Sequence, residues 1–572
     1  MNKYLSLISI AVLVSGCQSF NVSTSSTSVD EAATITVPNN EPSTPSAEFT
    51  EDSIVSLLTA EIAGQRDRFD IALDNYSQQA QTTGDAGVAE RAFRIAEYLG
   101  DDKNALSNAL IWAKASPDNL EAQRAAAIQL AQAKRYDEAM LRMEKVLLAQ
   151  GDTQFDFLAL SAAQSDSKTR QALLQSFDRL LNKHPNNQQL IFSKAILLNQ
   201  DKRSEEALKL LEDQPKKHAV VATILLRARL LNQLERGEEA LPLLRNALKK
   251  QPNDNRLRTT YARQLIELNQ LEEARAEFLE LLQQSPENDD LRFSLALINM
   301  DLEAWQEAQV YLEELIERGS HNDAAQYNLG RVFEELGDSK QALSAYTQVQ
   351  SGNNYLAAQQ SIAKLLVSEQ RIKDMATHFE LERMTHADAR IPLYLIEAET
   401  LASNEQTDTA WLRINQALKQ LPDDPRLLYT RAMIADKRND LAQLEQDLKL
   451  IIKRDPNNAM ALNSLGYTLA DRTDRLDEAR QLIEQAHKLE PNDAAITDSL
   501  GWVYYRLGDL PAAERLLREA HSAFPDAEVA AHLGEVLWQL GKHKQAKQVW
   551  NQALESQPNN AVLLETIQRL TK

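Results

Sequence analysis

The sequence holds nine histidines and one cysteine, the residue types most often found moving protons or ligating metals. His184, His218, His321, His378, His386, His487, His521, His532 and His543 form no His-Glu-x-x-His pair, and the single cysteine, Cys17, lies far from all of them. They are expected on the surface, with no metal site. Ser165-Asp166-Ser167-Lys168 has the Ser-x-x-Lys spacing of an acylating serine, but the companion motifs of that enzyme class are missing, so an interhelical loop is expected there. No phosphate-cradling glycine loop, nucleophile elbow or dinucleotide fingerprint occurs. The chemistry that remains is recognition. Toward the C-terminus Asn463, Tyr467, Asp498, Trp502, Tyr505, Arg506, Glu535 and Trp538 bring two tryptophans and two tyrosines beside an arginine, the types that dominate interface hot spots. The expectation is a binding protein with no catalytic residue and no cofactor.

Composition says what must hold such residues. Of 572 residues 43% are hydrophobic and 25% charged, while Gly (16) and Pro (17) are scarce, so helix is expected throughout. Lys plus Arg number 62 against 83 Asp plus Glu. The net charge of −21 is the wrong sign for clamping a phosphate backbone, which argues against nucleic-acid partners. With one cysteine no intramolecular disulfide can form.

From residue 50 onward a small residue recurs at a fixed step: Ala240, Ala274, Ala308, Ala342, Ala376 and Ala410 are each 34 apart, and Ala479, Ala513 and Ala546 continue the series. Leu173 and Leu444 stand at two places where the alanine is skipped. Pro422, Pro456, Pro491, Pro525 and Pro558 close successive units. A period of about 34 is that of the tetratricopeptide repeat, a helix-turn-helix whose small residue lets the two helices approach and whose proline stops the second. The fold expected is therefore all-α: a right-handed superhelical solenoid over 50–558 with about 12–15 units, closed by a capping helix over 559–572. Units over 357–390 and 425–456 match poorly, since Lys364 falls at a small position, and irregular packing is expected there.

At the N-terminus Met1-Asn2-Lys3 precedes an apolar run from Tyr4 to Val14, too short to span a bilayer. Val14-Ser15-Gly16-Cys17 resembles the lipobox of bacterial lipoprotein signals. That resemblance implies a signal peptide over 1–16, cleavage before Cys17 and its acylation, and Gln18 in place of Asp implies sorting to the outer membrane. Residues 17–49 are Ser-, Thr- and Pro-rich without Lys or Arg, and are read as a tether with a relaxed span of roughly 30 Å.

Solenoids bind through the face lined by the first helix of each unit, where the eight C-terminal residues above are expected to lie. The repeat variety that clamps carboxylate tails uses Lys and Asn at those places, and Asp498 and Glu535 would repel such a tail. Ala461-Leu-Asn-Ser-Leu-Gly-Tyr-Thr-Leu-Ala470, Asp498-Ser-Leu-Gly-Trp-Val-Tyr-Tyr-Arg-Leu-Gly508 and Ala531-His-Leu-Gly-Glu-Val-Leu-Trp538, with Leu57–Ala63 and Ala89–Ala96, resemble a family of Gram-negative outer-membrane repeat lipoproteins. Its best-known type is the lipoprotein binding partner of a periplasmic carboxyl-terminal processing protease. The resemblance implies a non-catalytic adaptor, lipid-anchored and facing the periplasm, that binds the protease and cell-wall hydrolases and promotes their degradation. Two other readings fit a lipid-anchored repeat chain: an assembly factor of the pilotin or porin-assembly kind, and a polysaccharide- or peptidoglycan-binding component of an export system.

Overall fold

The computed structural model describes residues 48–149, 151, 153–213 and 220–571. The signal peptide expected over 1–16, the expected acceptor Cys17 and nearly all of the tether expected over 17–49 lie outside the described residues. Within them 31 α-helices follow one another, none long and apolar enough to cross a membrane. They fall into two compact units, one ending at Leu234 and one beginning at Glu235. The first holds eleven helices, from Glu51–Gln65 to Val221–Gln233, and the second twenty, from Gly237–Lys250 to Ala561–Thr571.

Local chemistry sets the helix boundaries. First helices of the repeats open on Asn or Asp caps: Asn119, Asn187, Asp254, Asn288, Asp424, Asn458, Asp493 and Asp526 each accept from a backbone N–H of the first turn. Except after Ala459–Arg472, where Thr473 is extended, the turn into the second helix of these repeats passes through one left-handed residue. Glycine takes it at Gly337, Gly508 and Gly541, with φ of 77°, 88° and 74°. Elsewhere a polar residue such as Asn269 or Asn439 occupies the same conformation.

The periodic small residues are the core. Ala240, Ala274, Ala308, Ala342, Ala410, Ala479, Ala513 and Ala546 are all fully buried, and Leu173 and Leu444 fill the skipped places at 1% exposure. Ala376 departs from the series: Met375 is fully buried in its stead, while Ala376 is only partly so. The preceding pair explains this. Its second helix, Ser339–Thr347, is short, and the path to Tyr355–Ser368 makes the step 33 rather than 34. By the same shift Ala363 is fully buried opposite Phe379, and Lys364 points to solvent. Over 425–456, in place of the expected irregularity, the chain forms an ordinary pair, Pro425–Lys437 with Leu441–Arg454, while over 357–390 Tyr355–Ser368 and Ile372–Thr385 pack more loosely on each other than that pair does. The last helix, Ala561–Thr571, buries Leu563 and packs on Ala527–Gln539.

Candidate interaction face of the first helices

Three first helices carry the predicted recognition residues: Ala459–Arg472, Ala494–Arg506 and Ala527–Gln539. They pack side by side, with Ala561–Thr571 as the fourth, while Leu476–Leu489, Leu510–Ala523 and His543–Ser556 lie behind them. Glycine permits the close approach between layers. A Cβ on Gly466, Gly501 or Gly534 would stand 2.5 Å from Ile483 Cγ1, 2.7 Å from Leu517 Cγ and 1.9 Å from Trp550 Nε1 respectively. The repeat step then places Asn463 beside Asp498, Tyr467 beside Trp502 and Glu535, and Tyr505 beside Trp538, on one face.

That face is more internally bonded than its sequence suggests. Asp498 is buried and pairs with His532 Nδ1 at 2.8 Å. Trp502 is 8% exposed and stacks on the His532 ring, centroids 4.2 Å apart. Tyr467 donates to Glu528 Oε1 at 2.9 Å and lies 3.4 Å from His532 Nε2. Glu535, 4% exposed, accepts from Arg569 at 2.6 and 3.0 Å and from Tyr505 at 2.9 Å. Burial first, then the Glu535 charge, pushes the Tyr505 hydroxyl up to about 12, so it stays a donor. Arg506 donates to the carbonyls of Ala470 and Asp471, bracing one repeat against the next. Trp538 is half-buried against Trp550, 5.7 Å away, with Lys547 over its ring, and Asn463 is half-buried.

Two expectations change. His532 is not a surface histidine: it is 5% exposed and sits at the centre of this network. Asp498 and Glu535 do not stand open on the face: each is buried against an internal partner, His532 and Arg569 respectively. The signal was present in the spacing, since His532 follows Asp498 by one repeat and Arg569 follows Glu535 by one repeat.

Sequence reasoning also passed over an apolar set in earlier repeats of the same unit. Phe293 and Tyr327 are 34 apart, as are Leu395 and Tyr429, and all four are only partly buried at one place in their first helices; the first helix between the two pairs, Tyr355–Ser368, carries no apolar residue at that place. Leu297 and Met433 follow four residues after Phe293 and Tyr429, one helical turn on, and are likewise partly buried. Among the described residues, no group of three or more His, Cys, Asp or Glu is placed to hold a metal ion.

Stacked helix pairs that offer a continuous first-helix face define a repeat scaffold for protein–protein interaction. Tetratricopeptide repeat models match residues 231–298, 293–355, 472–532 and 506–569. A TPR repeat-containing protein of Pseudomonas aeruginosa is 56% identical over 537 residues, covering 94% of this chain and 90% of the relative. The chain belongs to the tetratricopeptide repeat family. Among solved structures, yeast Tom70 aligns over 91% of this chain and all of its own at 14% identity, with a TM-score of 0.30. A thermophilic TPR protein of Thermus thermophilus aligns over 31% of this chain and 98% of its own at 24% identity, with a TM-score of 0.29.

Proposed function

We propose that this chain is a lipid-anchored scaffold of the outer membrane that gathers a periplasmic carboxyl-terminal processing protease and its peptidoglycan-hydrolase substrates, and so promotes their proteolysis. The observation that carries the scaffold reading is the set of partly exposed apolar residues Phe293, Tyr327, Leu395 and Tyr429. Aromatic and aliphatic side chains left open at one repeat place offer a partner apolar anchors without costing the core. The lipobox ending in Cys17 supports the anchor, and the resemblance of the 461–538 segments to the adaptor lipoproteins supports the partners. A scaffold of this kind needs no catalytic group. Two proteins held on one array meet at an effective concentration in the mM range, which raises encounter by about a hundredfold or more.

The test is capture from detergent-solubilised envelopes with the full-length acylated chain, beside a Tyr327→Ser, Leu395→Ser, Tyr429→Ser variant checked for helicity. The protease and cell-wall hydrolases are expected with the wild type, and at least about tenfold less of them with the variant, each anchor contributing about 1 kcal/mol or more. Capture of pilus, porin-assembly or exopolysaccharide components instead would overturn the partner assignment, and undiminished capture by the variant would overturn the face.

A further inference from the structure

We propose that His532 is a proton-operated latch that ties together the first helices of the last three repeats. It goes beyond the scaffold reading and stands or falls apart from it. The geometry is a chain of four side chains from three helices. Glu528 Oε1 accepts from Tyr467 Oη at 2.9 Å, Tyr467 Oη lies 3.4 Å from His532 Nε2, and His532 Nδ1 lies 2.8 Å from Asp498 Oδ2. The Tyr467–Glu528 link bridges residues 61 apart in sequence, from Ala459–Arg472 to Ala527–Gln539, passing over a whole repeat.

Counting protons shows which form of the imidazole completes this chain. Both carboxylates only accept, and the tyrosine has one proton, which it gives to Glu528. Its oxygen can then only accept from the histidine side, so Nε2 must carry a proton, and Nδ1 must carry another to donate to Asp498. Imidazolium satisfies every link. Neutral imidazole breaks one, because an Nε2 lone pair would face the tyrosine oxygen, or Tyr467 would have to leave Glu528 unbonded. With the ring 5% exposed, water is poorly placed to repair the loss.

The charges around the ring act in the same direction. Ala459–Arg472 contributes Tyr467 and Asp471, and Ala494–Arg506 contributes Asp498, with Tyr505 beyond it on Glu535. His532's own helix contributes Glu528 and Glu535, and Ala561–Thr571 contributes Arg569, which is spent on Glu535. Behind, Leu510–Ala523 offers the apolar Ala513 and Leu517, its Glu514 being held by Lys542 and Arg518, and His543–Ser556 offers Trp550, with His543 and Lys547 on Trp538. Burial alone would pull the imidazole down, yet Asp498, Glu528 and Asp471 together outweigh it and hold it above its ordinary value. A raised histidine contributes stability that is complete below the unfolded-state value near 6.5 and is lost as pH rises through the folded-state value. Loss of the proton leaves the Asp498 and Glu528 carboxylates beside a neutral ring, and frees Tyr467 and the Trp502 stack.

Hydrogen exchange of the full-length chain between about pH 5 and pH 9, corrected for the intrinsic rate, reads the latch directly. Amides of 459–472, 494–506 and 527–539 are expected to lose protection by about tenfold across one transition. His532→Gln should leave them poorly protected and independent of pH, while Asp498→Asn should move the transition to lower pH. Flat protection in the wild type, the same fall surviving in His532→Gln, or an unmoved transition in Asp498→Asn would each overturn the proposal.

Discussion

Replacing Gly534 by valine is expected to destabilise the C-terminal repeat by about 3 kcal/mol or more, the upper range for overpacking. A Cβ there would lie 1.9 Å from Trp550 Nε1, 2.4 Å from Cε2 and 2.6 Å from Cδ1. The indole cannot give way. It is 1% exposed, rigid, and backed by Trp538. The opposite sign is expected for Gly64→Ala, where a Cβ meets nothing within 4 Å and a helical alanine gains about 1 kcal/mol over glycine. Rescue should follow from copying another repeat: Ala296 lies sixteen residues before Leu312, both fully buried, so Gly534→Ala with Trp550→Leu recreates that pair and should recover much of the loss. Because repeat arrays yield locally, denaturation is best followed by exchange protection in 527–556. A cost below about 0.5 kcal/mol for Gly534→Val would mean that the layers are not in contact at that glycine.

How far such contacts can be read beforehand varies along the chain. The 34-residue step of alanine and proline announces helix pairs because the close point of each pair admits only a small side chain, a demand that survives wide variation elsewhere. The same logic misplaces Ala376 and Lys364. Either Met375 or Ala376 could be the buried one, and what decides is the length of the segment between Thr347 and Tyr355, which carries no motif. Side-chain types on the recognition face were legible and their exposure was not. Whether Asp498 meets solvent depends on His532, one repeat later, and whether Glu535 does depends on Arg569 in a helix that reads only as a cap. Phe293, Tyr327, Leu395 and Tyr429 are hidden for the converse reason: an apolar residue at a fixed step looks like core until the neighbouring helix is seen to cover it only in part.

Replacing Arg383 by methionine is expected to cost about 3 kcal/mol or more, although the ion pair it breaks contributes little net stability. Glu397 is 1% exposed on the first helix Arg390–Ser403, which also carries Leu395 of the apolar set. It accepts from Arg383 Nη1 at 2.6 Å, while Arg413 Nε lies 3.0 Å from its other oxygen without making a hydrogen bond. Burial pushes the Glu397 carboxyl up, and the attraction of Arg383 and Arg413 does not bring it back. A raised carboxyl favours the fold below its ordinary range and costs stability as pH climbs from that range through the raised value, so ionising Glu397 in the fold is a net cost. Arg383 limits that cost, and it also stacks on the Tyr394 ring at 4.1 Å. Without it the carboxylate is buried against one poorly aligned guanidinium, and the loss of stability should steepen with rising pH. Removing both charges, Arg383→Met with Glu397→Leu, should return the chain to within about 1 kcal/mol of wild type. Chemical denaturation of the two variants at pH 5 and pH 8, read at 390–403, separates the outcomes. Equal losses in the single and the double variant would show that Arg383 acts through packing on Tyr394 alone. A smaller loss in the double would place the pair's value in orientation, as the feature that holds the Leu395 helix in one register against its neighbours.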